Sequence, residues 1–270
     1  MKTESGKLLS RASLQKAERP PAFVPRTERE CVDVLAATYR RALEKHWDTY
    51  VERHSRPNSL RRQVDAFSTY RDYLPLNGRI LEWGCKHAPD ACLMRFVLGD
   101  EVEIDGYDFD RGDIYEEFYT TARMKFVAAG HTYLLPYGDE SFDAVLGSGV
   151  LEHVAVPSQS LTELYRVVRV GGTLIIMFLP NRLSWTEWAL RRTGSHAHHR
   201  RLYTRRSVRR LLLNHGFEPQ IVGYHQFVPG QRGGRVARWL WPLNGILERL
   251  PPSKFFCANL YVIAVNRRAI

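Results

Sequence analysis

Arg79-Ile80-Leu81-Glu82-Trp83-Gly84-Cys85-Lys86-His87-Ala88-Pro89-Asp90 is the stretch on which the reading of this chain turns. Asn77-Gly78 supplies a turn before it, and Ile80-Leu81 begin a short apolar run that reads as a buried strand. Glu82 then falls at the strand's carboxyl end, with Gly84 just beyond, where the chain must turn towards a helix. In an open α/β sheet, ligands bind in the crevice outside those strand ends. A carboxylate there accepts hydrogen bonds from an amine or hydroxyls, and a glycine lets the backbone approach closely. An ordinary strand-to-helix turn has the same ingredients, so the neighbouring segments must decide.

Downstream, Asp90 to Leu98 reads as a helix, and Val102 to Asp108 as a strand ending in an acid. Asp108 stands about 20–30 residues beyond the glycine turn, the distance at which nucleotide-binding βαβ units place an acid on a ribose. Met124 to Ala128, Phe142 to Gly147 and Thr173 to Leu179 read as further strands, the last entered through Gly171-Gly172 after a helix over Leu161 to Val168. Glu218 to Tyr224 and Leu260 to Val265 complete the set. Strands alternating with helices imply an α/β fold with a mostly parallel sheet covered on both faces. Upstream, Thr27 and Glu30 form a capping box for one helix, with Val32, Leu35, Tyr39, Leu43, Trp47 and Tyr50 at helical spacing. Pro57-Asn58-Ser59 breaks it and opens a second helix that stops at Pro75. The expected organisation is a flexible leader (1–25), a helical cap (26–76) and a main domain (77–270).

Of the 270 residues, 44% are hydrophobic and 25% charged, a soluble globular balance rather than a disordered one. No apolar run approaches the ~20 residues of a membrane span, and the first residues lack the apolar core of a secretory signal. A cytoplasmic location is expected, with peripheral contact at a membrane's inner face as an option. Cys31, Cys85, Cys92 and Cys257 are scattered, which reads as free thiols with no structural zinc. The formal charge of +10 points to a polyanionic or membrane-surface partner. Residues 182–210 hold nine Arg and one Glu, a basic segment beside the expected crevice. Within an amphipathic insertion at 226–256, Trp239, Trp241, Leu243, Ile246 and Leu247 lie among Arg235, Arg238 and Arg249. That mixture suits peripheral membrane contact through 235–250; ordinary packing of a lid is the alternative, and Pro242 would interrupt a single helix.

The order of segments is more specific than any one of them. Ile80-Leu81-Glu82-Trp83-Gly84-Cys85, Gly106-Tyr107-Asp108, Leu135-Pro136-Tyr137-Gly138-Asp139-Glu140-Ser141-Phe142-Asp143, Val150-Leu151-Glu152-His153-Val154 and Val167-Val168-Arg169-Val170-Gly171-Gly172 follow one another over about 60–225. Together they resemble a class I S-adenosylmethionine-dependent methyltransferase, of the type that includes the small-molecule methyltransferases of the ubiquinone pathway. The resemblance implies a Rossmann-like, doubly wound, seven-stranded sheet whose last strand is antiparallel, with S-adenosylmethionine as cofactor. It places Glu82 near the methionine amino group, with Gly84, Cys85 and Lys86 in the turn beneath the cofactor. Asp108 goes to the ribose hydroxyls and Phe109 beside adenine. His131 and Thr132 would read the adenine amine, and Ser148 would line the methyl-donor end. Lys86 and Ala88 stand where the family commonly has glycines, which restricts positive φ. His131 replaces an acid with an imidazole that accepts only when neutral. Both departures imply weaker or pH-sensitive cofactor binding.

Methyl transfer is an in-line displacement that a hydroxyl acceptor approaches with help from a general base. His153 in the Leu-Glu-His-Val segment is the first candidate base, and a helix-start structural histidine is the bland alternative. Glu152-His153 also resembles the acid–histidine pair of a metal site in ubiquinone-pathway O-methyltransferases. Gly149 stands where that pattern has a further acid, so no metal is expected. His199-Arg200-Arg201-Leu202-Tyr203-Thr204 resembles the H-x-R-x-Y segment over the acceptor pocket, making His199 a second catalytic candidate. Arg201 and Tyr203 would grip the acceptor from the same side of an extended segment; a hinge for the helix over Ser207 to His215 is the alternative.

The resulting expectation is methyl transfer to a small-molecule acceptor, anionic or lipid-linked, on a hydroxyl of a lipid-linked, glycan or secondary-metabolite substrate. RNA methylation is one competing reading, raised by the basic balance but lacking an appended RNA-binding module. A non-catalytic binding protein of the same fold is another, raised by Lys86, Ala88 and His131.

Overall fold

The computed structural model describes residues 26–109, 112–192, 199, 201–228 and 241–267. The expected leader at 1–25, and the part of the insertion at 229–240, lie outside them.

Thr27 caps the first helix, α1 (Glu28–Lys45), as expected: its hydroxyl accepts from Glu30 N–H, while the Glu30 carboxylate answers Thr27 N–H. The helix ends at Lys45, before Trp47 and Tyr50, over which the expected helical spacing continued. Asp48 then caps a separate short helix, α2 (Thr49–His54), by accepting from the N–H groups of Tyr50 and Val51. Pro57 opens α3 (Pro57–Tyr70) from the first helical position, where its missing N–H costs nothing. These helices do not form a body of their own. Leu35, Tyr39, Val64, Phe67 and Tyr70 belong to the same apolar cluster as Ile80 and Ile104 of the sheet.

The sheet begins with β1 (Gly78–Trp83), followed by α4 (Pro89–Leu98), β2 (Val102–Asp108), α5 (Glu116–Ala122) and β3 (Lys125–Ala128). The second half runs β4 (Phe142–Ser148), α6 (Pro157–Val167), β5 (Val168–Pro180), α7 (Trp185–Arg192), α8 (Arg205–Leu213), β6 (Phe217–His225), α9 (Asn244–Leu247) and β7 (Asn259–Asn266). Spatial order is β3-β2-β1-β4-β5-β7-β6. All neighbours pair in parallel except β7, which runs antiparallel to β5 and β6. The expected seven-stranded, doubly wound sheet is therefore present. Neither α5 nor α7 was expected from the sequence.

Central strands are buried on both faces, which is why β1 reads as a near-continuous apolar run. Leu81, Val145 and Ile176 join the second core cluster with Leu161, Leu164, Val208 and Leu212 of α6 and α8. From β1 the chain proceeds outward to β3, then returns to place β4 on the other side of β1. The switch point lies between β1 and β4, and a crevice opens above their carboxyl ends. Because β6 is parallel to β5, its carboxyl end at His225 faces the same crevice. Among the described residues no helix is long and apolar enough to cross a membrane.

Candidate functional site

A cavity of about 780 Å³ occupies this crevice. That is near the top of the ~300–1,000 Å³ range of small-molecule sites. Glu82, Gly84, Cys85, Lys86, Asp108, Phe109, Thr132 and Ser148 all line it, as do both histidine candidates.

At the turn after β1, Gly84 has φ 69°, and a Cβ there would lie 2.4 Å from Val150 Cγ2. Only glycine fits between the ends of β1 and β4. Lys86 and Ala88 were expected to deprive this loop of left-handed freedom. Both nevertheless adopt it, with φ of 45° and 50°. Asp108 helps to hold them: its carboxylate accepts from Lys86 N–H at 2.8 Å and from Phe109 N–H at 2.6 Å. The side chain of Lys86 turns towards α2, its ammonium 3.4 Å from the centre of the Tyr50 ring.

Glu82 and Asp90 are both buried beneath the loop. Glu82 accepts from Ala91 N–H in the first turn of α4, and Asp90 from the Tyr70 hydroxyl. Burial raises both carboxyls; the neighbouring Asp90 raises Glu82 further, whereas hydrogen bonding from Tyr70 acts to lower Asp90. Among the described residues neither acid has a cationic side-chain partner. A ligand ammonium is the charge that this pocket lacks, and the amino group of S-adenosylmethionine fits it. Phe109, 63% exposed, lines the cavity beside Asp108 at the same end. His131 is placed differently from the expectation. It sits in an exposed turn outside the lining, its Nδ1 accepting from the N–H groups of Tyr133 and Leu134. Thr132 and Tyr133 face the cavity instead.

Towards β5 and β6, His199 comes against Glu187 of α7, with Nδ1 2.6 Å from Oε1. Burial acts to raise the Glu187 carboxyl, but the hydrogen bonds and charge of His199, together with the charge of Arg191, outweigh it and hold it low. A carboxylate that fixes one imidazole nitrogen leaves the other available as base or ligand. His153, by contrast, has a side chain 69% exposed, at the rim. Beside it the Glu152 carboxylate is buried, one oxygen lacking any hydrogen-bond partner. Glu152, His153 and His199 can bring one ligand atom each within 4.8 Å of the others. The expectation of no metal rested on Gly149. It could not count His199, a donor delivered from 46 residues further along the chain.

Arg201 and Tyr203 do lie on one side of their segment, but they do not reach the cavity. Arg201 donates to the carbonyls of Leu151, Glu152, Val154 and Ala155, and the Tyr203 hydroxyl donates to that of Leu151. The pair clamps the loop that carries Glu152. The structure thus corrects their expected grip on the acceptor: their donors are already committed to backbone. Residues that sequence reasoning missed line the cavity as well, among them Arg62, Glu187 and Gln226.

Glu152 also carries a pH signature. Burial pushes its carboxyl up to about 7, opposed by its own backbone N–H and by nearby basic groups. The folded protein keeps a proton there that the unfolded chain releases, so stability falls as pH rises from about 4.5 to about 7. The full shift corresponds to ~3 kcal/mol. Glu152→Gln is expected to flatten the profile of Tm against pH over this window, in chelator-containing buffer. Equal slopes in variant and wild type would refute the assignment.

A family model described as a methyltransferase domain matches residues 52–220. A Mycolicibacterium smegmatis protein named a probable S-adenosylmethionine-dependent methyltransferase is 30% identical over 141 residues, covering 52% of this chain and 51% of the relative. A demethylmenaquinone methyltransferase of Alkalihalophilus pseudofirmus is 33% identical over 103 residues, covering 34% of this chain and 44% of the relative. The chain spans about half the length of these curated relatives. Among solved structures, a Thermotoga maritima S-adenosylmethionine-dependent methyltransferase, titled as a possible histamine N-methyltransferase, matches with a TM-score of 0.57 at 18% identity. It covers 86% of this chain and 100% of that one, a likeness of fold.

Proposed function

The chain belongs to the class I methyltransferase family that uses S-adenosylmethionine, and on that premise we propose that it transfers a methyl group from this cofactor to a hydroxyl of a small-molecule acceptor. The observation that carries the reading is the shared cavity, which sets Gly84 and Asp108 at one end and the Glu187–His199 pair at the other.

The cofactor supplies an electrophilic methyl group on a sulfonium. This chain's own residues supply position and a proton acceptor. Asp108, fixed by two backbone N–H groups, presents its remaining lone pairs to adjacent hydroxyls of a ribose. Gly84 lets the backbone approach, and Glu82 with Asp90 receives the ammonium end. His199, with Glu187 on Nδ1, takes the acceptor's proton at its other ring nitrogen. His153 at the rim is placed second in this role, and Ser148 lines the centre. Positioning carries much of the rate in such a displacement.

The relative named for demethylmenaquinone supports a small-molecule acceptor. Leu243, Ile246 and Leu250 stand exposed in the insertion, which favours an acceptor presented from a lipid surface over a free glycan. Residues 235–240 of the proposed membrane contact lie outside the described residues.

Calorimetric titration with S-adenosylmethionine and S-adenosylhomocysteine tests the reading. Saturable binding of both is expected. Absence of heat and of any thermal shift near millimolar cofactor would favour a non-catalytic protein, whereas tight, strongly salt-dependent RNA binding would favour a nucleic-acid substrate.

A further inference from the structure

Arg62 projects from α3 into the cavity wall, half-buried, and among the described residues no carboxylate pairs with it. Asp65, one turn along the same helix, lies instead 3.8 Å from Nε2 of His225. Arg62 is nevertheless held firmly. Its Nε donates to Gln226 Oε1 at 2.9 Å, and its guanidinium carbon lies 4.3 Å from the centre of the Phe178 ring. These contacts fix the guanidinium plane without using its terminal amino groups.

Gln226 is arranged for the same purpose. Its Oε1 also accepts from Asn259 Nδ2, at 3.1 Å. Arginine can only donate, so the oxygen must be the atom facing Arg62, and the amide orientation is settled. The Gln226 NH₂ is then left buried with no acceptor, in a side chain 2% exposed that lines the cavity. An unsatisfied buried donor beside an unpaired, largely desolvated cation is costly unless something completes both.

The backbone points to the same place. Phe178 and Gln226 both have positive φ, 58° and 61°, although neither is glycine. Phe178 sits at the irregularity of β5 between Ile176 and Leu179, where a bulge re-aims a side chain. Two strained residues meet on one guanidinium, and such strain collects at ligand sites.

We propose that Arg62 and Gln226 form a subsite for an oxyanion, a carboxylate or phosphate, so that the acceptor carries an anionic group rather than being neutral. The inference rests on the methyltransferase reading for its acceptor, and it names the class of molecule that the reading leaves open. The forked guanidinium matches an oxyanion with parallel hydrogen bonds, and Gln226 adds a further donor. Desolvation lowers Arg62 to about 10, so it stays charged at neutral pH. The reacting hydroxyl then lies towards Glu152 and His199, with the anionic group behind it against α3.

The test uses the full chain loaded with S-adenosylhomocysteine. Potassium phosphate and potassium acetate are titrated separately by calorimetry, with potassium chloride at matched ionic strength as control. Saturable binding of at least one oxyanion is expected, and the stronger arm tells phosphate from carboxylate. Arg62→Gln should weaken that binding by about tenfold or more, with affinity for S-adenosylhomocysteine unchanged. Arg62→Lys should restore it only in part, because it keeps the charge and loses the fork. Gln226→Asn, which tolerates a left-handed backbone, should weaken it too and serves if Arg62→Gln does not fold. Unaltered oxyanion binding in the variants, or none in the wild type, overturns the subsite. Failure of the wild type to bind S-adenosylhomocysteine would instead sink the methyltransferase reading itself.

Discussion

Asp108→Asn should weaken S-adenosylhomocysteine binding by about a hundredfold, because the carboxylate has two tasks that an amide cannot share. Its oxygens accept from Lys86 N–H and Phe109 N–H, and so hold the turn after β1. An asparagine must point its NH₂ at one of those donors or rotate away from both. Its remaining lone pairs are the proposed acceptors for the ribose hydroxyls. Hydrogen bonds to a charged group contribute about 1.5–3 kcal/mol each, and losing the better part of two corresponds to about two orders of magnitude. Asp108 lies at the end of β2 with its carboxylate in the cavity rather than in the core, so the fold should survive. A dissociation constant within threefold of the wild type's would remove Asp108 from the cofactor site.

His199→Ala should lower kcat by about 10²–10⁴, the usual worth of a positioned general base, while leaving S-adenosylhomocysteine affinity alone. The measurement is release of S-adenosylhomocysteine with an acceptor that supports turnover by the wild type. Glu187→Gln should lower kcat in the same direction by a smaller factor, since the amide can still orient the ring but no longer stabilises its protonated form. His153→Ala, at an exposed rim position, should cost less than His199→Ala. If the order of the two histidines were reversed, the base would belong to the Leu151–Val154 loop and the Glu187–His199 pair would be structural.

The sheet was readable because each strand is a short apolar run bounded by turn residues, and Gly84 with Asp108 gave its switch point. That Glu82, Gly84 and Asp108 share one end of the cavity was readable for a related reason: they come from one βαβ unit, so sequence order and spatial order agree. The acceptor end is different. Arg62 meets Gln226 across 164 residues of chain, and nothing local to either marks the encounter. Arg201 and Tyr203 illustrate the converse. Alternation correctly put them on one side of a segment, but it cannot say whether that side meets a ligand or the carbonyls of another loop. Among the helices, the break after α1 was written in Asp48, a good N-cap, yet Trp47 and Tyr50 continued the apolar spacing by accident. Trp47 is 70% exposed and is no part of the core.

That difference in reach separates the cavity's two ends in how firmly the fold itself maintains them. The Asp108–Lys86 contact closes a loop of 22 residues, whereas the Arg62–Gln226 contact joins α3 to the far edge of the sheet. Closing the longer loop takes more chain entropy, and the contact is held by one hydrogen bond and one ring face. An oxyanion seated between Arg62 and Gln226 would act as a staple, tying the first helices to the last strands while the cofactor end stands unaided.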